Sequence, residues 1–220
     1  MKAKNATRGH GKSTPRDRCH VYWIGGGSGS GKSTIARRLA VANDLQVYDT
    51  DRVMPEHAAR LTAEEAPMLA IFKGMDMDKR WALRTPREML ETFHWFQGEG
   101  FNLILDDVAQ LLAEPPAIVE GFRLLPHLVA PHLGERARGV WLLPTPEFRR
   151  AAIESRGTLW DIPNKTGDPE RALKNLLERD HMFTERLSSE TTRLALPVIH
   201  VEKGMTEDEL TDQVSDLFGL

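Results

Sequence analysis

An α/β fold built on a five-stranded, mostly parallel sheet with helices on both faces is predicted by two features of the chain. Five short apolar runs alternate with helical patterns, the order that gives a parallel sheet wrapped on each side. A glycine-rich turn joins the first of these runs to the first helical pattern. At 220 residues, 40% hydrophobic and 28% charged, the chain suits one folded unit with a substantial core.

The elements follow in order. Val21-Tyr22-Trp23-Ile24, β-branched and aromatic, reads as the first strand. Ile35, Ala36, Leu39 and Ala40 recur at helical spacing while Arg37 and Arg38 fall on the other face, so a helix opens near Gly31 or Lys32. Leu45-Gln46-Val47-Tyr48 is a second strand ending in Asp49-Thr50-Asp51. Residues 52–113 form a helical insertion broken near Pro67, Gly74 and Pro86, with Met89, Phe93 and Phe96, then Phe101, Leu105, Val108 and Leu112, at stripe spacing. Ala117 to Gly121 gives a third strand, Leu124 to Leu133 a short helix interrupted by Pro131, and Gly139 to Leu143 a fourth strand closed by Pro144. A helix begins at Pro146, the breaker-rich stretch from Gly157 to Pro169 reads as a mobile loop, and Glu170 to Leu194 returns as helix. Together, residues 145–195 read as a lid and the helix that follows it. Pro197 to Val201 is the fifth strand, and Thr206 with Glu209 three positions on is a capping box opening the last helix.

Composition excludes several classes. The formal net charge of −3 gives no global pull toward nucleic acid or an anionic surface. Residues 1–18 are locally basic, through Lys2, Lys4, Arg8, Lys12, Arg16 and Arg18, and nearly free of apolar residues, so they read as a disordered tail ahead of a domain over 19–220. No secretory apolar core follows them, and no apolar run reaches the roughly 18 residues a membrane span needs. A cytoplasmic protein, monomer or homodimer, with no membrane partner is expected. Cys19 is the single cysteine, so no internal disulfide forms.

The tetrapeptide GKST occurs twice, at Gly11–Thr14 and Gly31–Thr34. The phosphate-loop frame G-x-x-x-x-G-K-[ST] needs a buried strand before it and a helix after it. The first copy has Ala6 where glycine is required, no strand ahead of it, and Pro15 where a helix should open. The second copy has Gly26 in place and both flanking elements. Gly26, Gly27, Gly29 and Gly31, with Ser28 and Ser30 between them, would line a nest of N–H groups for the β- and γ-phosphates of ATP. Lys32 would bridge those phosphates, Ser33 would place its hydroxyl on Mg²⁺, and Thr34 would complete the motif.

Ligands of open α/β sheets bind beyond the strand carboxyl ends. That rule gathers Gly26–Thr34, Asp49, Asp51, Glu120 and the residues after Leu143 on one edge. Phosphoryl transfer to an alcohol wants a carboxylate within reach of the attacking hydroxyl and cations over the transferring group. Asp51 is the candidate base, with helix capping its competing role. Glu120 ends an apolar run where an acid could hold a Mg²⁺-bound water. Asp106 and Asp107 compete for that place, but Phe101 to Leu112 fits a helical stripe and leaves them as solvated helix residues.

On Gly26–Thr34, Asp49-Thr50-Asp51, Glu120-Gly121 and an arginine-bearing lid, the chain resembles the P-loop kinases of small metabolites, in the nucleoside-monophosphate-kinase, shikimate-kinase and gluconate-kinase group. The resemblance implies a P-loop NTPase fold and ATP-dependent transfer to a hydroxyl of a metabolite, nucleoside or antibiotic. It implies that Asp49 supports the metal and Asp51 faces the acceptor. It also implies that Arg156, directly after the strand-four helix, and Arg179, in Arg179-Asp180, are the lid arginines among Arg149, Arg150, Arg156, Arg171, Arg179, Arg186 and Arg193. Asp106-Asp107 is similar instead to a strand end in chloramphenicol-phosphotransferase-like kinases.

Other readings are weighed against this one. Arg80, Arg84 and Arg87 would serve a nucleoside-monophosphate kinase by holding a second phosphate. An ATP-binding switch and a zeta-toxin-like nucleotide-sugar kinase are further alternatives. Trp81, Phe93, Trp95 and Phe96 form either an acceptor wall or simple core, and Trp160 either stacks on a ligand or packs in the lid. Asn164 to Asp168 approximates the guanine signature of GTPases, but the aspartate falls one place late. His127 and His132 lack the partners of a zinc site. The loop Glu202-Lys203-Gly204 is where base selection is expected.

Overall fold

The computed structural model describes residues 21–111, 114–135, 138–155, 157 and 159–220. The basic stretch 1–18, Cys19 and Arg156 lie outside the described residues. Strand β1 (Val21–Gly26) leads into helix α1 (Lys32–Asn43), and β2 (Gln46–Asp49) follows. The insertion then runs through α2 (Met54–Arg60), α3 (Pro67–Lys73), α4 (Met77–Trp81), α5 (Pro86–Thr92), a 3₁₀ turn (His94–Gln97) and α6 (Phe101–Val108). The remaining elements are β3 (Ala117–Glu120), α7 (Pro126–Val129), β4 (Gly139–Pro144), α8 (Pro146–Ser155), α9 (Pro169–Leu194), β5 (Val198–Val201) and α10 (Glu207–Phe218).

The five strands are ordered β2-β3-β1-β4-β5, and every pairing is parallel. β1 is central because its residues tolerate burial on both faces, and all six are buried. Strand alternation divides its side chains between two cores. Val21, Trp23, Val119, Trp141 and Leu143 pack under α6, α7 and α9 through Phe101, Ile104, Val129, Phe183 and Leu187. Tyr22, Ile24, Ile118, Val140 and Leu142 pack on the other face against Ile35 and Leu39 of α1 and Leu210, Val214 and Phe218 of α10. Burying about a dozen large side chains on each face supplies the driving force, at roughly 1.5–3 kcal/mol per fully buried Val, Leu, Ile, Phe or Met.

The insertion breaks where its sequence dictates. Pro67 and Pro86 each sit at the first position of a helix, where the missing N–H costs nothing, and Gly74 closes α3. α5 carries a capping box between Thr85 and Glu88. The insertion is clamped to α9 by Trp81, Ala82, Met89, Ala172 and Leu176, and by Asn175, whose amide donates to the carbonyls of Trp81, Ala82 and Arg84.

Some side chains differ from expectation. Asp107 does lie in a helix, but it is not merely solvated: it accepts from Tyr48, faces His57 Nε2 at 2.8 Å and lies 3.6 Å from Arg60. The segment from 159 to 168 folds into turns around a 3₁₀ turn at Pro163–Lys165, with Pro163 buried and Gly167 N–H bonded to Asp78 at 2.6 Å. Asp168 caps α9 by accepting from the N–H of Arg171, which accounts for the aspartate resembling a guanine signature. Among the described residues no helix is long and apolar enough to cross a membrane.

Candidate active site

The loop between β1 and α1 is held by its own backbone. Gly26 has φ of 133°, and a Cβ there would lie 2.1 Å from the carbonyl oxygen of Leu142, so only glycine lets the strand end approach β4 and turn. The Gly27 N–H then bonds Leu142 O at 3.1 Å. Gly31 precedes α1 in a left-handed conformation and offers no side chain to the first-turn N–H groups, which are left for an anion. Lys32 curls back over the loop: it is 6% exposed, and its Nζ donates to Gly27 O at 2.7 Å and approaches Ser30 Oγ at 3.4 Å. A cation is therefore already tethered inside the turn.

Parallel pairing brings the carboxylates to the same edge. Asp49 and Glu120 are Cα partners on β2 and β3, and Ile24 pairs with Glu120 from the other side. Glu120 is 1% exposed and its Oε2 has no hydrogen-bond partner among the described residues. Burial pushes its carboxyl up to about 7 against the pull of Lys32 and a hydrogen bond with Ser33, while the charges of Asp49 and Asp51 add to the rise. Burial likewise raises Asp51, opposed by Lys32 and helped by Asp49.

Asp51 does not cap the following helix. That position is Val53, without a side-chain cap, whereas Asp49 Oδ1 closes the turn by accepting from the N–H groups of Asp51 and Arg52 at 2.9 and 3.1 Å. Asp49 thus fixes the turn that sets Asp51 free. Gly121 makes room for it: its φ is 145°, and a Cβ there would stand 1.8 Å from Thr50 Oγ1 and 3.0 Å from Asp51 Oδ1.

Arg123 is a site residue that the sequence reading passed over. It is 2% exposed, donates to Thr50 O at 3.2 Å and Gly100 O at 3.3 Å, and stacks 4.1 Å over the Trp95 ring. Its Nη1 also faces His57 Nδ1 at 3.1 Å. A guanidinium can only donate, so Nδ1 accepts and Nε2 carries the proton given to Asp107. Asp107, His57 and Arg123 form one chain of contacts that ends on the backbone beside Asp51. Burial lowers Arg123 to about 10, against the charges of Tyr48, Asp51 and Asp107.

Helices α8 and α9 supply a second cluster. Arg179 and Arg149 converge on Asp180 from α9 and α8: Arg179 Nε and Nη2 donate to Oδ1, and Arg149 Nη2 donates to Oδ2. Both guanidiniums are buried, yet Arg149 Nε and Nη1 and Arg179 Nη1 have no partner among the described residues. A cleft of about 350 Å³ joins these groups to Ser28 and Gly29 of the loop. Arg149 stood among seven arginines in the sequence, and only its packing against Asp180 distinguishes it.

Two further cavities flank the loop. One of about 390 Å³ lies between Gly31, Thr34, Phe148, Lys203, Gly204 and Met205. The other, of about 290 Å³, touches the loop at Ser28 and is lined by Trp81, Phe93, Trp95 and Phe96 together with Phe122 and Arg179. The four aromatic residues of the insertion therefore serve both readings, packing in the core and walling a cavity. Arg80 donates to the carbonyls of Phe72 and Lys73, Arg84 to those of Lys79 and Arg80, and Arg87 pairs with Glu91, so none of the three lines it. Trp160 is 39% exposed beside Arg150 and Lys174, away from the aromatic cavity. His127 faces Glu190.

Among the described residues no group of three or more His, Cys, Asp or Glu is spaced to enclose a metal ion. Mg²⁺ asks for less, since it keeps most of its shell as water and substrate phosphate and takes one or two protein ligands. The Ser33 hydroxyl and the orphaned Glu120 Oε2 suit that demand.

No protein-family model matches the chain. A segment of 39 residues, 18% of the chain, is 56% identical to a shikimate kinase of Rhodococcus jostii (strain RHA1), of which it spans 23%. Over about nine-tenths of the chain the fold is similar to a deoxyadenosine kinase from M. mycoides (TM-score 0.49, 11% identity, all of that chain covered). It is similar also to a shikimate kinase from Acinetobacter baumannii (TM-score 0.44, 18% identity, 90% of that chain covered).

Proposed function

From the P-loop NTPase fold of this chain, we infer that it is a phosphotransferase that moves the terminal phosphate of ATP to a hydroxyl of a small molecule. The observation that carries this reading is the meeting, at one sheet edge, of a lysine-filled glycine loop, a buried and a half-buried carboxyl of raised pKa, and a cavity that opens against the loop.

The triphosphate lies along Gly26–Thr34, where N–H groups and Lys32 neutralise it, and the base occupies the cavity beside Lys203, Gly204 and Phe148. Ser33 and Glu120 would hold Mg²⁺, and Asp49 orders the turn and adds negative charge. When bound, the metal offsets charge on the phosphate oxygens. Asp51 accepts the proton of the acceptor hydroxyl as that oxygen bonds to phosphorus and the bridging oxygen leaves with ADP. Arg149 and Arg179 meet the charge on the transferring group with their unpartnered N–H donors, and Arg156 is the further lid arginine the resemblance assigns. A second-phosphate acceptor finds no support in Arg80, Arg84 or Arg87, whose donors are engaged elsewhere. A cytoplasmic setting suits the use of ATP.

The test is transfer of label. With γ-labelled ATP, magnesium and a metabolite pool, label is expected in a new small product, and Lys32→Ala is expected to abolish it. Label only in inorganic phosphate, or no turnover, would favour a nucleotide-dependent switch.

A further inference from the structure

The cavity against Ser28 is selective in its chemistry. Its walls include Phe72, Trp81, Phe93, Phe96 and Phe122, and among the described residues its only charged liners are Arg179 and Asp180, which bond each other, with Asp180 also paired to Arg149 outside the cavity. Phe93 and Phe122 are near parallel, with centroids 6.5 Å apart, and Phe96 stands nearly perpendicular to both at 4.9 and 5.8 Å. Arg179 packs over three of the rings, 5.2 to 5.4 Å from their centroids. His94 adds no charge, since burial, with Arg123, Lys73 and Arg80 nearby, lowers it to about 3. The basic side chains of the insertion spend their donors on carbonyls: Arg80 on Phe72 and Lys73, Arg84 on Lys79 and Arg80, Lys73 on Ala58.

Resting on the phosphotransfer reading above, we propose that the acceptor is an uncharged alcohol carried on a planar, apolar ring system, and that this cavity rejects carboxylated, phosphorylated and polyol acceptors. A flat ring gains offset and edge contacts with the aromatic walls. A phosphate or carboxylate entering the same space surrenders its hydration with no unpaired cation to receive it, because Arg179 is already paired with Asp180 and packed over three rings, and the liners' nitrogens without a hydrogen-bond partner among the described residues are only Arg179 Nη1 and the uncharged His94 Nδ1. A polyol strands several hydroxyls among carbon atoms. At about 290 Å³ the space sits at the bottom of the roughly 300–1,000 Å³ range of ligand pockets, which fits one or two fused rings.

Saturation-transfer NMR on the full chain without nucleotide tests this with three panels. The first holds neutral mono- and bicyclic aryl alcohols, including nucleosides. The second holds aryl carboxylates and nucleoside monophosphates, and the third holds polyols such as sorbitol. Binding is expected in the first panel alone and is expected to weaken at least tenfold in both Phe93→Leu and Phe122→Leu, two half-buried rings whose variants are first checked for an intact melting transition. Equal binding by the second or third panel, no binding by any panel, or binding unmoved by both substitutions overturns the proposal. MgATP titrated into the same samples reads the phosphate loop separately. Ring-alcohol binding that persists while no triphosphate binds would strike the phosphotransfer reading and leave the cavity's selectivity standing.

Discussion

Asp49 and Glu120 oppose each other as Cα partners at the carboxyl ends of β2 and β3, yet their oxygens are used differently: Asp49 Oδ1 accepts two backbone N–H groups, and Glu120 Oε2 accepts none. One acid is committed to shaping the turn. The other is buried with capacity to spare, which is the condition expected of a group that waits for a metal-bound water.

Glu120 should therefore leave a signature in stability. Its carboxyl is raised from an ordinary 4.5 to about 7 in the folded state. A group raised in this way keeps its proton better folded than unfolded, so its contribution is fully present below about pH 4.5 and is lost as pH climbs through about 7. Glu120→Gln removes the ionisation. Without nucleotide, the variant is expected to melt about 7–14 °C above wild type at pH 8, with most of the difference gone by pH 5. A difference that does not change with pH would contradict the assignment.

Lys32 is expected to be indispensable for nucleotide and dispensable for folding. Its Nζ bonds Gly27 O inside the loop, a contact that a triphosphate oxygen would share. In wild type, MgATP at a hundredfold excess over Kd should stabilise the fold by about 2.7 kcal/mol. For Lys32→Ala, thermal-shift measurements should show that gain lost and a basal melting temperature close to wild type.

Gly121→Ala tests the close packing behind Asp51. The new Cβ would stand 1.8 Å from Thr50 Oγ1 at a φ of 145°. Strain of about 1–3 kcal/mol is expected in urea unfolding, together with a drop in transfer rate as Asp51 shifts. A variant of wild-type stability would mean that the turn yields more easily than its geometry implies.

Arg149 and Arg179 should act at the transfer step. Replacing either with methionine is expected to lower kcat by roughly 10²–10³-fold while moving the KM for ATP only a few-fold. Steady-state kinetics separate the two effects. A large KM change with kcat intact would place these arginines in nucleotide binding instead.

Arg123 is the anchor of the insertion. Removing it strands the carbonyls of Thr50 and Gly100 and uncovers Trp95, so Arg123→Met is expected to cost about 3–5 kcal/mol in denaturant unfolding. A loss under 1 kcal/mol would contradict its place in the network.

The strands and the phosphate loop were legible because their signals are local. Val21 to Ile24 is apolar without interruption, and Gly26 to Ser33 has fixed spacing. Pro67, Gly74 and Pro86 marked the breaks in the insertion because each acts on its own backbone. The roles of Asp107, Arg123 and Arg149 were not legible, since each depends on a partner 31 to 73 residues away. Arg123 left one faint trace, as a lone cation three residues past the end of an apolar strand. The resemblance to nucleotide-kinase-like enzymes points to Arg156 and Arg179 as the lid arginines, whereas Arg149 is distinguished by sharing Asp180 with Arg179.

The most direct test of the central claim is a crystal structure with magnesium and a non-hydrolysable ATP analogue. The account predicts the triphosphate along Gly26 to Lys32, with Lys32 Nζ on its terminal oxygens and Asp51 facing the terminal phosphorus. A nucleotide bound elsewhere, or a loop closed to it in protein that is otherwise folded, would contradict the account.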